Sequence, residues 1–411
     1  MDDYQLFCRG ELKDPYPLYH RLRSEDPVHW SDEVQSWIVT RYTDVSSVLQ
    51  YSPQLSSNRI LALFQLLSPD VKEKTQSLYH HLREEMQYKD PPEHTRLRKL
   101  VNQAFTPRMI AALRPRLQQT IEEMFAAVLE RGRMDFIRDF AYPFPVIVIC
   151  ELLGLPRDDR DQFKHWSDDI TAFLEALAET YGDVAERAQS SVLALQDYLS
   201  QLVAERRRNP QEDLITALAL AVQEGEKLSE EELHAMVVFL LFAGHETTTG
   251  LLGNGFLTLL LHPDQFQKMR DDRSLVGSAV EECLRYEGSI QRISRQATED
   301  FEMDGKQIQQ GQRVWAMIGA ANRDPVRFPD PDRFDVARQN NRHLAFGTGI
   351  HFCIGAPLAR LEGEIALNML MDRLIDIQLE VDAIPWRKGI SLRILDSLPI
   401  TFRVSEKKGL K

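Results

Sequence analysis

In the stretch HLAFGTGIHFCIG, residues 343–355, a lone cysteine, Cys353, lies in a glycine-rich turn directly ahead of the apolar-periodic run APLARLEGEIAL. A thiolate is stabilised by unpaired backbone N–H groups and by the positive end of a helix dipole, and both are on offer at such a junction. Gly347, Gly349 and Gly355 carry no Cβ, so the main chain can come close to a sulfur and to a flat ligand. A buried structural cysteine is the ordinary alternative, and a phosphate loop is another. The phosphate loop fails because the GxG is followed neither by the third glycine of a dinucleotide site nor by the lysine of a P-loop. Neither alternative accounts for His351 and Arg360 around the same turn.

A second constellation lies in LSEEELHAMVVFLLFAGHETTTGLLGNGFLTLLLHP, where Glu246 and Thr247–Thr249 interrupt a long apolar run. Burying such groups without partners costs about 1–3 kcal/mol per neutral group and more for the carboxylate. The threonine hydroxyls can bond back to carbonyls one turn earlier and only bend the helix. An acid beside an alcohol next to Gly244, where a helix can open to a ligand, points instead to proton handling. A zinc-protease reading of HETTT fails, because His245-Glu246 lacks the second histidine four residues after the first.

The elements that must position these groups are mostly helical. Apolar residues recur at three- and four-residue steps over Ile110–Glu130, Asp158–Leu177, Glu186–Arg207, Glu212–Gln223 and Leu358–Leu374. The longest helix is expected to start at Ser229, whose capping box with Glu232 marks the N-terminus, and to stop at His262-Pro263. At a 1.5 Å rise it would be roughly 50 Å long, and its apolar faces all round place it centrally. Strand signals are few: Ser36–Tyr42, Phe301–Gly319 and Ile390–Val404 alternate or turn at Gly and Pro as hairpins do. The expectation is a mainly α fold with small β-sheets. With no repeat and no Ser/Gly linker, residues 1–411 read as one unit.

Composition excludes several classes. The net charge of −13 opposes binding to phosphate backbones or anionic lipid, so neither nucleic acid nor membrane is an expected partner. The four cysteines, Cys8, Cys150, Cys283 and Cys353, form no CxxC pair, which argues against a disulfide scaffold or zinc ribbon and fits a reducing cytoplasm. The acidic N-terminal stretch lacks the basic start and apolar core of a secretory signal.

The order Phe346, Gly347, Gly349, His351, Cys353, Gly355 resembles the heme-binding signature of the cytochrome P-450 superfamily, in which the cysteine thiolate is the proximal iron ligand. By that resemblance the sulfur would push electron density toward O–O cleavage, a known property of the family and not one read from these residues. EECLRY, with Glu282 and Arg285 one turn apart, is similar to the family's ExxR pair, and FPDPDRFD supplies Arg333 where the family places the third member of a structural ion-pair set. DPPEHTRLRKL resembles the helix whose His94 and Arg98 meet the heme propionates, and Arg295 and His351 match the other two usual partners. Ala243, beside Gly244, falls at the cofactor on the central helix.

The resemblance implies a cytochrome P-450 fold with a long central helix over heme b (iron protoporphyrin IX), activating dioxygen and inserting one oxygen atom into a small apolar substrate. Glu246 and Thr247 would supply protons; peroxide-driven relatives tend to lack this pair, so a peroxygenase and a non-catalytic heme-binding sensor are the alternatives. No flavin or nicotinamide fold is visible, so electrons must come from a ferredoxin or flavodoxin with its reductase. The basic run Arg96, Arg98, Lys99, Arg108, Arg114 and Arg116, helped by Arg342 and Arg360, is a candidate docking surface. Candidate pocket residues are Leu61, Leu63 and Phe64 from a lid over residues 58–89, Leu241, Phe242, Ile290, Ile293 and Ile394, with Arg59 or Arg292 placed to meet a carboxylate. Two departures, Gly288-Ser289 where relatives have Ser-Pro and Ile394 where they have Gly, fall at the expected pocket border.

Overall fold

Ser229 starts the longest helix as its spacing predicts: its Oγ accepts the Glu232 amide at 3.1 Å and its own amide donates to Glu232 Oε2 at 2.9 Å. Three glutamates in the first turn meet the positive end of the helix dipole. In this computed structural model, which describes residues 3–50, 52–65, 67–156, 159–176, 181–221 and 225–405, the helix runs Glu230–Leu261 and is buried along most of its length. It is long and apolar enough to cross a membrane, but 72% of its most apolar window is covered by the rest of the fold. The helices Pro143–Leu153, Ala356–Arg373, Val276–Tyr286 and Gln76–Glu84 pack against it.

Close packing explains one glycine in particular. A Cβ at Gly250 would lie 2.3 Å from the Cβ of Ser289 and 3.2 Å from Ile394 Cγ1, so the segment after Val276–Tyr286 can touch the central helix only because that position is bare.

The remaining periodic stretches fold close to expectation, with boundaries moved. Ile110–Glu130 is divided into Pro107–Ala112 and Arg114–Ala126. Tyr181–Arg208 extends the expected helix at its N-terminus, and Arg160–Leu174 and Leu214–Leu220 are shorter than expected; Asp158, Leu177 and Gln223 lie outside the described residues.

The strands are where pattern and outcome diverge. A five-stranded sheet has the order Val28–Ser31, Ser36–Val39, Arg313–Met317, Arg292–Ala297, Leu55–Ser56. Ser36–Val39 forms a hairpin with Val28–Ser31, and within Phe301–Gly319 only Phe301–Met303 and Lys306–Ile308 do so; Arg313–Met317 pairs parallel with Ser36–Val39 and antiparallel with Arg292–Ala297. From Ile390–Val404 only Pro399–Val404 becomes a strand, between Arg133–Asp135 and Leu374–Leu379. The part before it touches neighbours through the isolated bridges Ile290↔Leu392 and Trp386↔Leu395.

Candidate active site

Helix and loop converge on one cavity of about 420 Å³, lined from the Cys353 loop, the central helix, the helix Glu93–Ala104, the segment 59–88 and the strand Arg292–Ala297. Cys353 lies on its wall. Its amide donates to the Phe346 carbonyl at 2.9 Å, which folds the loop back on itself, and Gly347 and Gly349 turn the chain at φ of +67° and +69°. Those two positions require glycine, whereas a Cβ on Gly355 would make only an ordinary 3.8 Å contact with the sulfur. Burial raises the Cys353 thiol, against the lowering effect of the Gly355 and Ala356 amides and of Arg98 and Arg360. Amides and helix end alone therefore do not offset the burial of this sulfur; a metal cation would favour its thiolate.

Four cation-capable side chains face the cavity around the same loop. His94 and Arg98, one turn apart on the helix Glu93–Ala104, come together with Arg295 and His351. The rings of His94 and His351 are 4.2 Å apart, and Ser57 Oγ meets His351 Nε2 at 2.9 Å. His94 is 1% exposed with neither ring nitrogen hydrogen-bonded. Burial together with the neighbouring arginines lowers His94 to about 4 and His351 to about 2. Burial and Arg59 lower Arg295 to about 9. Asp90 is the nearby acid, and it is held by Ser56 and Ser57. Two guanidiniums facing the cavity beside two imidazoles that an anion would help to charge fit a group that brings two carboxylates, as heme does. Phe346, Gly347, Gly355 and Ala243 line the same space, so the residues present fit the cofactor.

On the central helix the expected back-bonding occurs. Thr247 Oγ1 donates to the Ala243 carbonyl at 2.9 Å and Thr248 Oγ1 to Gly244 at 3.1 Å. Ser289 donates to the Thr247 carbonyl at 2.8 Å, tying the unusual Gly288-Ser289 segment to the helix at the acid–alcohol pair. Glu246 is buried and its carboxylate is bound by Arg387, with His245 Nε2 3.7 Å away. Burial would raise its pKa, but His245 and Arg387 outweigh that and hold it down to about 2. Arg387 went unnoticed in the sequence because it comes from an irregular C-terminal segment with no motif. Glu362 is a second omission: it lines the cavity fully buried, with Oε2 unpartnered, and burial keeps it well above the usual carboxylate range. Its signal was an acid on the inner face of LARLEGEIAL.

The pocket wall differs from expectation in detail. Phe242, Ile290, Ile293, Leu63 and Arg59 line it, as do Arg292 and Ser289. Leu61 does not: it points outward, 53% exposed, and Ile60 takes its place. Phe64 packs instead with Tyr79 and Phe173. Leu241 is buried on another face of the helix, and Ile394 fills the space over Gly250 rather than the cavity.

Arg333 is also corrected. Glu282 and Arg285 form a fully buried bidentate pair at 2.7 and 2.8 Å. The third cation is Arg338, whose Nε reaches Glu282 Oε1 at 3.0 Å. The Arg333 side chain is 60% exposed against Asp335, and only its backbone carbonyl joins the network, accepting from Arg285 and Arg338. Between the two arginines the chain turns, the Arg338 amide donating to the Asp335 carbonyl at 3.0 Å.

The basic run is partly spent internally. Arg96 pairs with Glu232, Arg114 with Glu364, Arg116 with Glu151 and Arg360 bidentately with Glu281. Arg98 faces the cavity. Arg108 and Arg342 remain exposed with no ion pair among the described residues.

Comparison with known proteins gives this geometry its family. The cytochrome P-450 family description matches residues 30–375. The chain is 40% identical over 405 residues to cytochrome P-450 107B1 of Saccharopolyspora erythraea, covering 97% of each. It is 41% identical over 407 residues to the cytochrome P-450 monooxygenase PikC of Streptomyces venezuelae, covering 96% of this chain and 93% of that one. The crystal structure of BioI, a cytochrome P-450 in complex with hexadec-9Z-enoic acid ligated acyl carrier protein, superposes with a TM-score of 0.88 at 35% identity, covering 96% of this chain and 100% of that one. With a cysteine loop, a buried cation cluster and an acid–alcohol pair around one cavity, the chain belongs to the cytochrome P-450 family and is a heme-thiolate monooxygenase.

Proposed function

We propose that residues 1–411 act as one domain that oxidises an apolar small metabolite in the cytoplasm, using dioxygen and electrons from a ferredoxin or flavodoxin with its reductase. Cys353 is the iron ligand of heme b, and His94, Arg98, Arg295 and His351 hold its two propionates. The observation that carries this reading is that Cys353, the cluster of His94, Arg98, Arg295 and His351, Glu246 and Thr247 all border one cavity whose other walls are mainly apolar. When bound, iron protoporphyrin supplies reductive activation of dioxygen.

The chain's own residues supply the protons. Thr247 Oγ1 gives its hydrogen to the Ala243 carbonyl, which leaves the oxygen's lone pairs free to accept a hydrogen bond from the cavity side. Glu246 is held ionised by Arg387, a side chain 38% exposed, so this pair lies between the buried helix and solvent. Once it leaves Arg387, Glu246 can take up a proton from solvent and release it into the cavity it borders beside Thr247. Glu282, Arg285 and Arg338 brace the fold behind the cysteine loop and touch no substrate.

Arg108 and Arg342, exposed and without an ion pair among the described residues, are the proposed docking contacts for the electron donor. The absence of any CxxC pair supports the cytoplasmic placement.

Two measurements test the reading. Cys353→Ser holoprotein loses the red-shifted carbonyl spectrum of thiolate-ligated heme; a variant that kept it would sink the assignment. Turnover of apolar metabolites with a surrogate ferredoxin system is expected to consume NAD(P)H in proportion to product. Efficient turnover with peroxide and no electron donor would favour the peroxygenase instead.

A further inference from the structure

Arg59 lines the cavity on the side of Arg295 and His351 and adds to that cluster, while two other guanidinium groups in the wall stand apart from it. Arg292 is 5% exposed and lines the cavity, yet it makes no hydrogen bond or ion pair among the described residues. Its guanidinium carbon rests 3.3 Å from the Trp315 ring centroid, a contact that steers it without neutralising it. Arg313, on the neighbouring strand, spends one nitrogen on the Val34 carbonyl at 2.9 Å and also borders the cavity. Arg292 and Arg295 are three positions apart along one strand, so the two side chains leave opposite faces, and Arg292 does not share the Arg295 cluster.

The acids that border the cavity do not answer this charge. Glu246 is bound by Arg387. Burial disfavours the charged form of Glu362, holding its carboxyl well above the usual range. Glu175 interacts with Arg292 only at longer range, because its Oε2 is taken by the amides of Ser391 and Leu392 at 2.8 and 3.1 Å. Even with Glu175 ionised, two guanidinium charges less one carboxylate leave a single positive charge facing an apolar space.

A guanidinium keeps its charge at any ordinary pH, and burying it without an anion is costly. Its planar fork matches a carboxylate bidentately. Elsewhere the cavity wall offers apolar side chains, among them Ile60, Leu63, Phe239 and Ile293. We infer that the substrate of this cavity is a monocarboxylic acid with an apolar body, its carboxylate held by Arg292 with Arg313 beside it. One residual charge suits a monoanion better than a phosphate dianion. The inference rests on the monooxygenase reading for the role of the cavity, and it names the substrate class and a specificity-determining residue that the motifs leave open.

The test is equilibrium binding to the holoprotein without an electron donor, so it stands whether or not turnover is electron-driven. Dodecanoate, methyl dodecanoate and dodecanol are titrated at neutral pH by the Soret spin-state shift and by calorimetry. The expected result is that dodecanoate binds about 10- to 100-fold more tightly than its ester or alcohol. Arg292→Leu is expected to erase that preference while leaving ester affinity within about twofold, and Arg292→Lys to retain part of it. Ester binding and the reduced carbonyl spectrum report that each variant is folded. The inference is overturned if the ester binds the wild type as tightly as the acid, if none of the three binds, or if Arg292→Leu keeps the preference. It is also overturned if dodecanoyl acyl carrier protein or dodecyl phosphate binds and the free acid does not.

Discussion

Arg338→Ala and Arg333→Ala distinguish the buried ion-pair network from the arrangement its motif suggests. Arg338 gives one hydrogen bond to Glu282 and three more to the carbonyls of Pro329, Asp330 and Arg333 at 2.7–3.0 Å. Glu282 is 0% exposed, so its carboxylate cannot recruit water in place of a lost donor. It keeps Arg285, the Asp335 amide and Asn341, but the segment 329–343 loses the side chain that gathers it. Breaking a buried ionic network by removing one member costs about 3–5 kcal/mol. At about 2 °C per kcal/mol for a large domain, the holoprotein should melt roughly 6–10 °C lower. Arg333→Ala leaves in place the backbone carbonyl that Arg285 and Arg338 use, so it should change stability by no more than about 0.5 kcal/mol. Urea midpoints and thermal melts of both holoproteins measure the difference. Equal destabilisation by the two substitutions would refute the assignment of Arg338 as the third cation.

Three further outcomes follow from the same contacts. Glu246 has its folded pKa lowered from 4.5 to about 2, so its ion pair contributes stability that is complete above pH 4.5 and lost as the pH falls toward 2. Glu246→Gln should therefore be less stable by on the order of 3 kcal/mol at neutral pH, with the deficit shrinking through that acid window in pH-dependent urea melts. Gly250→Ala drives a Cβ into Ser289 and should cost about 1–3 kcal/mol; adding Ser289→Gly should recover much of it in a double-mutant cycle of unfolding free energies. Arg108→Glu with Arg342→Glu should slow stopped-flow reduction by an acidic donor and flatten its salt dependence, while Arg114→Glu, which disrupts the pair with Glu364, should act mainly on stability.

Much of this molecule is legible in one dimension. The central helix, its capping box and its stop at His262-Pro263 are local signals, carried by residues three and four apart, and they fold as written. The Cys353 loop is equally local, because positive φ at Gly347 and Gly349 is a property of the backbone there. The α-rich composition of the fold followed from the same periodicities. Pairing across long separations was not legible: Arg313–Met317 alternates like half of a hairpin, but its partners are 277 residues upstream at Ser36–Val39 and the strand Arg292–Ala297.

What tertiary structure alone decided is which polar group meets which. Arg333 and Arg338 are five residues apart and equally basic in sequence; the turn between them puts one against Glu282 and the other into solvent. Leu61 and Leu63 are alike in composition, but one short helix gives the first to solvent and the second to the cavity. Sequence determined the elements and the residue types at the site, because hydrophobic period, caps and turns act within a few residues. The partners of Glu246, Glu282 and Arg292 were set only by folding, because a buried charge is governed by whatever distant chain is packed against it.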